Sequence, residues 1–172
     1  MIYKNEYGEV DLLSKQFLQS LKSDKGVIGA KLSGGSDTAL LLYLLAKEIQ
    51  ERNLNFSILP YTFLDKPDRN IVAQIIIDEV KSNFPKVSFE KHIYTELTIP
   101  YRDVWNESAM KLSKEYDIVF FTNAVNKSPP IEIVSNKELA KMVSSENALR
   151  NYDTKDLEYL GIYDTPEYKP FE

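Results

Sequence analysis

Short apolar runs alternate with helical patterns along this chain, and that alternation limits the folds open to it. Val27 to Leu32, Phe56 to Phe63, Val87 to Tyr94 and Asp117 to Thr122 each read as strands. Between them lie segments whose apolar residues recur every three or four positions, the signature of a helix with one buried face. Thr38 to Arg52 carries Leu40, Leu41, Leu44, Leu45, Ala46 and Ile49; the next segment carries Ile71, Val72, Ile75, Ile76 and Val80; Tyr101 to Tyr116 carries Val104, Trp105, Ala109 and Leu112. Strand–helix alternation of this kind builds βαβ units, so the expected fold class is α/β, a mostly parallel sheet with helices on both faces. Ligands in such sheets sit beyond the carboxyl ends of the strands, here after Leu32, Phe63 and Thr122.

The flanking segments read as follows. Glu9 to Leu21 has Leu12, Leu13, Phe17 and Leu21 at helical steps and predicts an amphipathic helix. Pro60 lacks an N–H and disfavours a fully paired central position in its strand. Asp68 stands where a helix cap is expected. Asn123 to Pro130 is a proline-bound loop, and Asn136 to Leu149 is a further helix candidate. Residues 1–150 form the expected α/β domain, and residues 151–172 an acidic, tyrosine-rich C-terminal extension with Tyr152, Tyr159, Tyr163 and Tyr168.

Composition removes several kinds of chemistry. The 172 residues contain no cysteine and one histidine, His92, which excludes thiol nucleophiles, disulfides, cysteine-based zinc sites and His-rich metal sites. The net charge of -5 argues against a non-specific grip on nucleic acid, which needs a basic surface. The N-terminus lacks the layout of a signal peptide, and no apolar run reaches the length of a membrane span, so a cytoplasmic protein is the default expectation.

The chemistry-bearing stretch is Lys31-Leu32-Ser33-Gly34-Gly35-Ser36-Asp37-Thr38, at the junction of the first of these strands and the helix after it. Adjacent glycines let the backbone turn sharply and approach a ligand, and the helix aims unpaired N–H groups and its positive dipole end at the same spot. A phosphate is the expected guest. No G-x-G-x-x-G dinucleotide pattern is present. A near match to the Walker pattern runs from Gly29 through Gly34, but Gly35 stands where the phosphate-binding lysine belongs. The bland alternative is a tight turn with Ser36 or Asp37 as a helix cap.

Ser33-Gly34-Gly35-Ser36-Asp37-Thr38 matches S-G-G-x-D-[ST] at every position, and on this motif the chain resembles the PP-loop ATP pyrophosphatase superfamily. The resemblance implies an adenine nucleotide α-hydrolase-like fold, ATP and Mg²⁺ as cofactors, and cleavage of ATP to AMP and pyrophosphate with adenylation of an acceptor. It implies that Ser33, Gly34, Gly35, Ser36, Asp37 and Thr38 hold the pyrophosphate, with Ser33 and Asp37 as the catalytic pair and Asp37 as the metal ligand. It also implies that Tyr61, Thr62 and Phe63 hold adenine and that Thr122 and Asn123 close over the nucleotide.

Thr122 to Pro130 and Tyr168-Lys169-Pro170-Phe171 loosely resemble the 7-cyano-7-deazaguanine synthase branch. Without cysteine, the chain departs from that branch's zinc site and from the thiol chemistry of the related phosphoadenosine-phosphosulfate reductases. Three functions therefore stand side by side: an adenylating enzyme with an acceptor still to be named, a non-catalytic adenine-nucleotide-binding module, and an interaction protein that uses the tyrosine-rich end. Leftover apolar faces on so short a relative are compatible with a homodimer.

Overall fold

The computed structural model describes residues 2–5, 8–64, 68–96, 108–109, 111–122 and 167–168. An antiparallel hairpin of β1 (Ile2–Asn5) and β2 (Gly8–Asp11) opens the chain. A short helix follows, α1 (Lys15–Ser20), then β3 (Lys25–Lys31), α2 (Ser36–Glu51), β4 (Asn55–Leu64) and α3 (Arg69–Asn83). Two short strands come next, β5 (Ser88–Phe89) and β6 (Ile93–Glu96), then helical residues 108–109 and 111–115, β7 (Ile118–Thr122) and β8 (Glu167–Tyr168).

The main sheet runs β5–β4–β3–β7–β8, with β6 also beside β4, and every described pairing in it is parallel. The fold is thus an α/β, Rossmann-like parallel sheet, as the alternation predicts. Side chains alternate across it. Ile28, Ala30, Phe56, Ile58 and Phe120 belong to a core shared with α2 and α3, whereas Leu59, Tyr61, Phe63, Ile118 and Phe121 pack on the other face with Ala109 and Leu112. Helices therefore cover both faces. On α2, Leu41, Leu42 and Leu45 are no more than 2% exposed, and each such burial contributes about 2 kcal/mol. The helix ends where Asn53 adopts a left-handed φ of 52°. Among the described residues no helix is long and apolar enough to cross a membrane.

Two close approaches tie β3 to β7. Register slips by one residue between Val27 and Ile28, leaving Val119 as an extra residue on β7. Its side chain lies over Gly26, whose φ is +132° and whose added Cβ would stand 2.6 Å from Val119 Cγ2. Further along, the Phe121 ring occupies the space a side chain on Gly29 would need.

Pro60 lies in a central strand but, as expected, not at a fully paired position. Its strand is paired on both sides, with Ala30 opposite Pro60 on β3. The explanation lies in the other neighbour. The Ile58 carbonyl accepts from Glu90 N–H on the β5 side, and the Tyr61 carbonyl accepts from Leu32 N–H on the β3 side. With period two, Pro60 faces the same way as Ile58, and there the ladder breaks between β5, which stops at Phe89, and β6, which begins at Ile93. The third expected strand, Val87 to Tyr94, is for the same reason two short strands.

The N-terminal helix is also shorter than its pattern. Gly8–Asp11 pairs with Ile2–Asn5, Leu13 turns the chain at φ 49°, and α1 starts only after Ser14, whose Oγ accepts from Phe17 N–H at 3.1 Å. Leu12 and Leu13 are fully buried as turn residues. A buried carboxylate fixes this region to α2. Glu48 is 0% exposed; Tyr3 O–H donates to its Oε1 at 3.0 Å, and Arg52 Nη1 donates to its Oε2 at 3.0 Å and to the Leu13 carbonyl at 2.7 Å. Burial, then the adjacent Glu48, push the Tyr3 phenol pKa well above its ordinary value.

Candidate functional site

The β3–α2–β4 unit carries the chain to one side of β3, and β7 lies on the other side. The strand order therefore reverses between β3 and β7, the place where doubly wound sheets open a crevice at their carboxyl ends. The loop Leu32 to Gly35 leaves β3 at that point.

Its shape follows from its residues. Gly34 has φ +76°, a conformation that favours glycine. A Cβ there would come 3.4 Å from Val72 and 3.8 Å from the Arg69 carbonyl, so the first turn of α3 backs the loop. Gly35 is the N-cap of α2 and, lacking a side chain, supplies no side-chain cap bond. Gly35, Ser36 and Asp37 are exposed. Acidic Asp37 sits in the first turn, and Ser36 Oγ donates to its Oδ1 at 3.4 Å.

The hydroxyls of Ser33 and Thr38 are engaged inside the loop. Thr38, 8% exposed, donates to the Gly35 carbonyl at 3.0 Å and accepts from Ser33 N–H at 3.3 Å. Ser33 Oγ lies 3.3 Å from Thr38 Oγ1 and accepts from Gly35 N–H at 3.3 Å. Because the Thr38 proton goes to the Gly35 carbonyl, Ser33 is the donor in the hydroxyl pair. In this geometry Thr38 shapes the loop from within, and the exposed residues of the loop are Gly35, Ser36 and Asp37.

The other expected residues fall at strand ends near the loop. Tyr61, Thr62 and Phe63 are 2%, 1% and 4% exposed at the end of β4. The rings of Tyr61 and Phe63 meet edge to face at 5.9 Å, and Tyr61 meets Phe121 in the same way at 5.9 Å, so these side chains are committed to packing. The Tyr61 carbonyl holds Leu32 N–H at 2.9 Å, just before the loop. Thr62 faces the opposite side, within 2.9 Å of His92 Nε2. Thr122, 1% exposed, ends β7 opposite Ala30, its hydroxyl 3.5 Å from the Gly29 carbonyl. Asn123 lies outside the described residues, as does the Asn136–Leu149 helix candidate. From the C-terminal part, Glu167 and Tyr168 pair with Phe121 and Thr122.

Two features escape sequence reasoning. One is Val72 behind Gly34, an apolar residue that helical periodicity alone would bury in the core but that is 41% exposed. The other is His92, a single histidine with no motif around it. Among the described residues there is no group of three or more His, Cys, Asp or Glu side chains suited to a metal.

No protein-family model and no curated protein matches the chain. Solved structures of similar fold include PH1313 from Pyrococcus horikoshii Ot3, with 12% identity and a TM-score of 0.49 over 84% of this chain and 35% of that one. This chain therefore spans about a third of the length of PH1313. A universal stress protein in complex with cAMP has 11% identity and a TM-score of 0.47, over 86% of this chain and 97% of its own. A universal stress protein family member from Burkholderia pseudomallei has 10% identity and a TM-score of 0.46, over 87% and 98%.

Proposed function

We propose that the chain binds an adenine nucleotide with the phosphates on the Ser33–Thr38 loop, and that it cleaves ATP to AMP and pyrophosphate to adenylate an acceptor. The observation that carries this reading is an exposed helix start without a side-chain cap, built from S-G-G-S-D-T, at the strand-order reversal of a parallel sheet.

In this account the N–H groups of Gly34, Ser36 and Asp37 and the Ser36 hydroxyl bind the β- and γ-phosphates. Ser33 can turn its hydroxyl outward from a 3.3 Å contact at little cost, while Thr38 keeps the loop closed. One exposed carboxylate suits Mg²⁺, which usually takes one or two protein carboxylates together with phosphate oxygens, so Asp37 would hold it. Bound there, Mg²⁺ would supply charge neutralisation to the departing pyrophosphate. An acceptor oxygen attacks the α-phosphorus, the bond from that phosphorus to the bridging oxygen breaks, and pyrophosphate leaves with the electron pair. Adenine would lie along the backbone at the end of β4, since the Tyr61 and Phe63 side chains are already packed, and Thr122 with Asn123 would border the nucleotide from β7.

A second reading, nucleotide binding without cleavage, is favoured by the engagement of both ring nitrogens of His92, the chain's one histidine, with Thr62 and Gln74. The two separate in one assay. Pyrophosphate released from ATP and Mg²⁺ by the wild type, and lost in Asp37→Ala, supports cleavage. Saturable ATP binding with no pyrophosphate supports the binding module. If neither ATP nor AMP raises the melting temperature, both readings fail.

A further inference from the structure

The groove of about 380 Å³ between α3 and β6 is lined by Asn70, Ile71, Gln74, Ile75, His92 and Tyr94. Asn70 Oδ1 is buried there without a hydrogen-bond partner among the described residues, whereas Gln74 and His92 are engaged with one another. Gln74 Nε2 donates to Asp78 Oδ1 at 2.8 Å, which fixes the orientation of the amide and turns Oε1 toward His92 Nδ1, 3.1 Å away. A carbonyl oxygen only accepts, so Nδ1 carries the proton. Nε2 is then bare and accepts the Thr62 hydroxyl proton at 2.9 Å. One hydrogen-bonded chain thus runs from Asp78 through Gln74 and His92 to Thr62, from the surface of α3 to the end of β4.

Both elements it joins hold the glycine loop. Through Val72 and the Arg69 carbonyl, α3 backs Gly34. From β4, the Tyr61 carbonyl anchors Leu32. We infer that His92, as the neutral Nδ1–H tautomer, is a positioning residue that ties α3 to the end of β4 and so sets the conformation of the Gly34–Gly35 loop. Its functional consequence rests on the phosphate-cradle reading above, whereas the tie itself does not. Thr62 on β4, Gln74, Asp78 and Lys81 on α3, and Tyr94 on β6 are the polar or charged groups around the ring. Burial and Lys81 keep it neutral, against Asp78. Protonation would place a donor on Nε2 against the Thr62 hydroxyl, which must then reverse its bond.

The chain has one histidine, so the imidazole signals of the ¹⁵N-labelled full-length protein need no assignment. The expected result is a protonated Nδ1 and a bare Nε2 at pH 7.5. On acidification the amide signals of Gly34 and Gly35 shift with the same midpoint as the His92 ring. In His92→Ala and Gln74→Met that component of their titration disappears. A ring protonated on Nε2 at pH 7.5, or loop amides that stay flat while His92 titrates, would overturn the inference, because a merely packed histidine titrates without moving the loop. Should His92→Ala fail to fold, Gln74→Met and the wild-type titration still decide. The measurement is made without nucleotide, so a protein that binds no ATP refutes the functional reading and leaves this result standing.

Discussion

The Thr38 hydroxyl donates to the Gly35 carbonyl at 3.0 Å, so one residue of the motif closes the loop that the others present. The same oxygen accepts from Ser33 N–H. Thr38→Val keeps the shape, removes both bonds and the contact with the Ser33 hydroxyl, and leaves the part-buried Ser33 N–H without this partner. The loss is about 1–3 kcal/mol of stability. Thr38→Ser, which retains the hydroxyl, should recover most of it. Urea denaturation of the two variants checks the contrast, and equal midpoints would remove Thr38 from this role.

Gly29 and Phe121 compete for one volume. Gly29→Ala pushes a methyl group into the ring and should cost about 1–3 kcal/mol through overpacking. Pairing it with Phe121→Leu should return part of that loss, which a double-mutant cycle measures as coupling. Additive effects would mean that the sheet relaxes around the methyl.

Glu48 joins the N-terminal hairpin to α2 through Tyr3 and Arg52. Glu48→Ala strips both of their common partner inside the core and should cost about 3 kcal/mol, the lower end for a broken buried pair because the Arg52 side chain is 29% exposed and can hydrate. Tyr3→Phe removes one hydrogen bond and should cost about 1 kcal/mol. Faster amide exchange in residues 2–5 of the Glu48 variant would accompany the loss.

His92 sets a pH dependence with a definite sign. Its folded-state pKa lies below the ordinary 6.5, chiefly through burial. The unfolded chain then binds the proton more readily, so this contribution to stability is complete above pH 6.5 and is lost as pH falls from 6.5 through the lowered value. Urea midpoints between pH 7.5 and 5.5 should decline in the wild type, and less steeply in His92→Gln. Parallel slopes would show that carboxylates alone set the trend.

Much of the fold was legible because α2 and the strands on either side of it obey one period each. Thr38 to Arg52 predicts α2 to within two residues, and Phe56 to Phe63 predicts β4 to within one at each end. Period alone failed where two structures compete for the same residues. Leu12, Leu13, Phe17 and Leu21 fit a helix, yet Gly8–Asp11 is drawn into a hairpin, and only the Ser14 cap marks where α1 begins. On α3, Ile71, Val72 and Ile75 are more than 40% exposed, and Ala73, Ile77 and Val80 face the core, because the helix carries apolar residues on both sides. The order of strands was not legible, since β3–β7 adjacency depends on side-chain fit such as Gly29 under Phe121. In the candidate site, the glycine loop was legible as a motif. Its backing by Val72 and its link to His92 depend on contacts across the fold that leave no local pattern.

The most direct test of the phosphate cradle is a titration of ¹⁵N-labelled protein with ATP and Mg²⁺, followed through the backbone amides of Gly34, Ser36 and Asp37. These three signals are expected to shift and saturate together, with Gly34→Val abolishing the response because φ +76° is closed to a β-branched residue. Saturable ATP binding that leaves these amides unmoved, or no binding at all, would contradict the account.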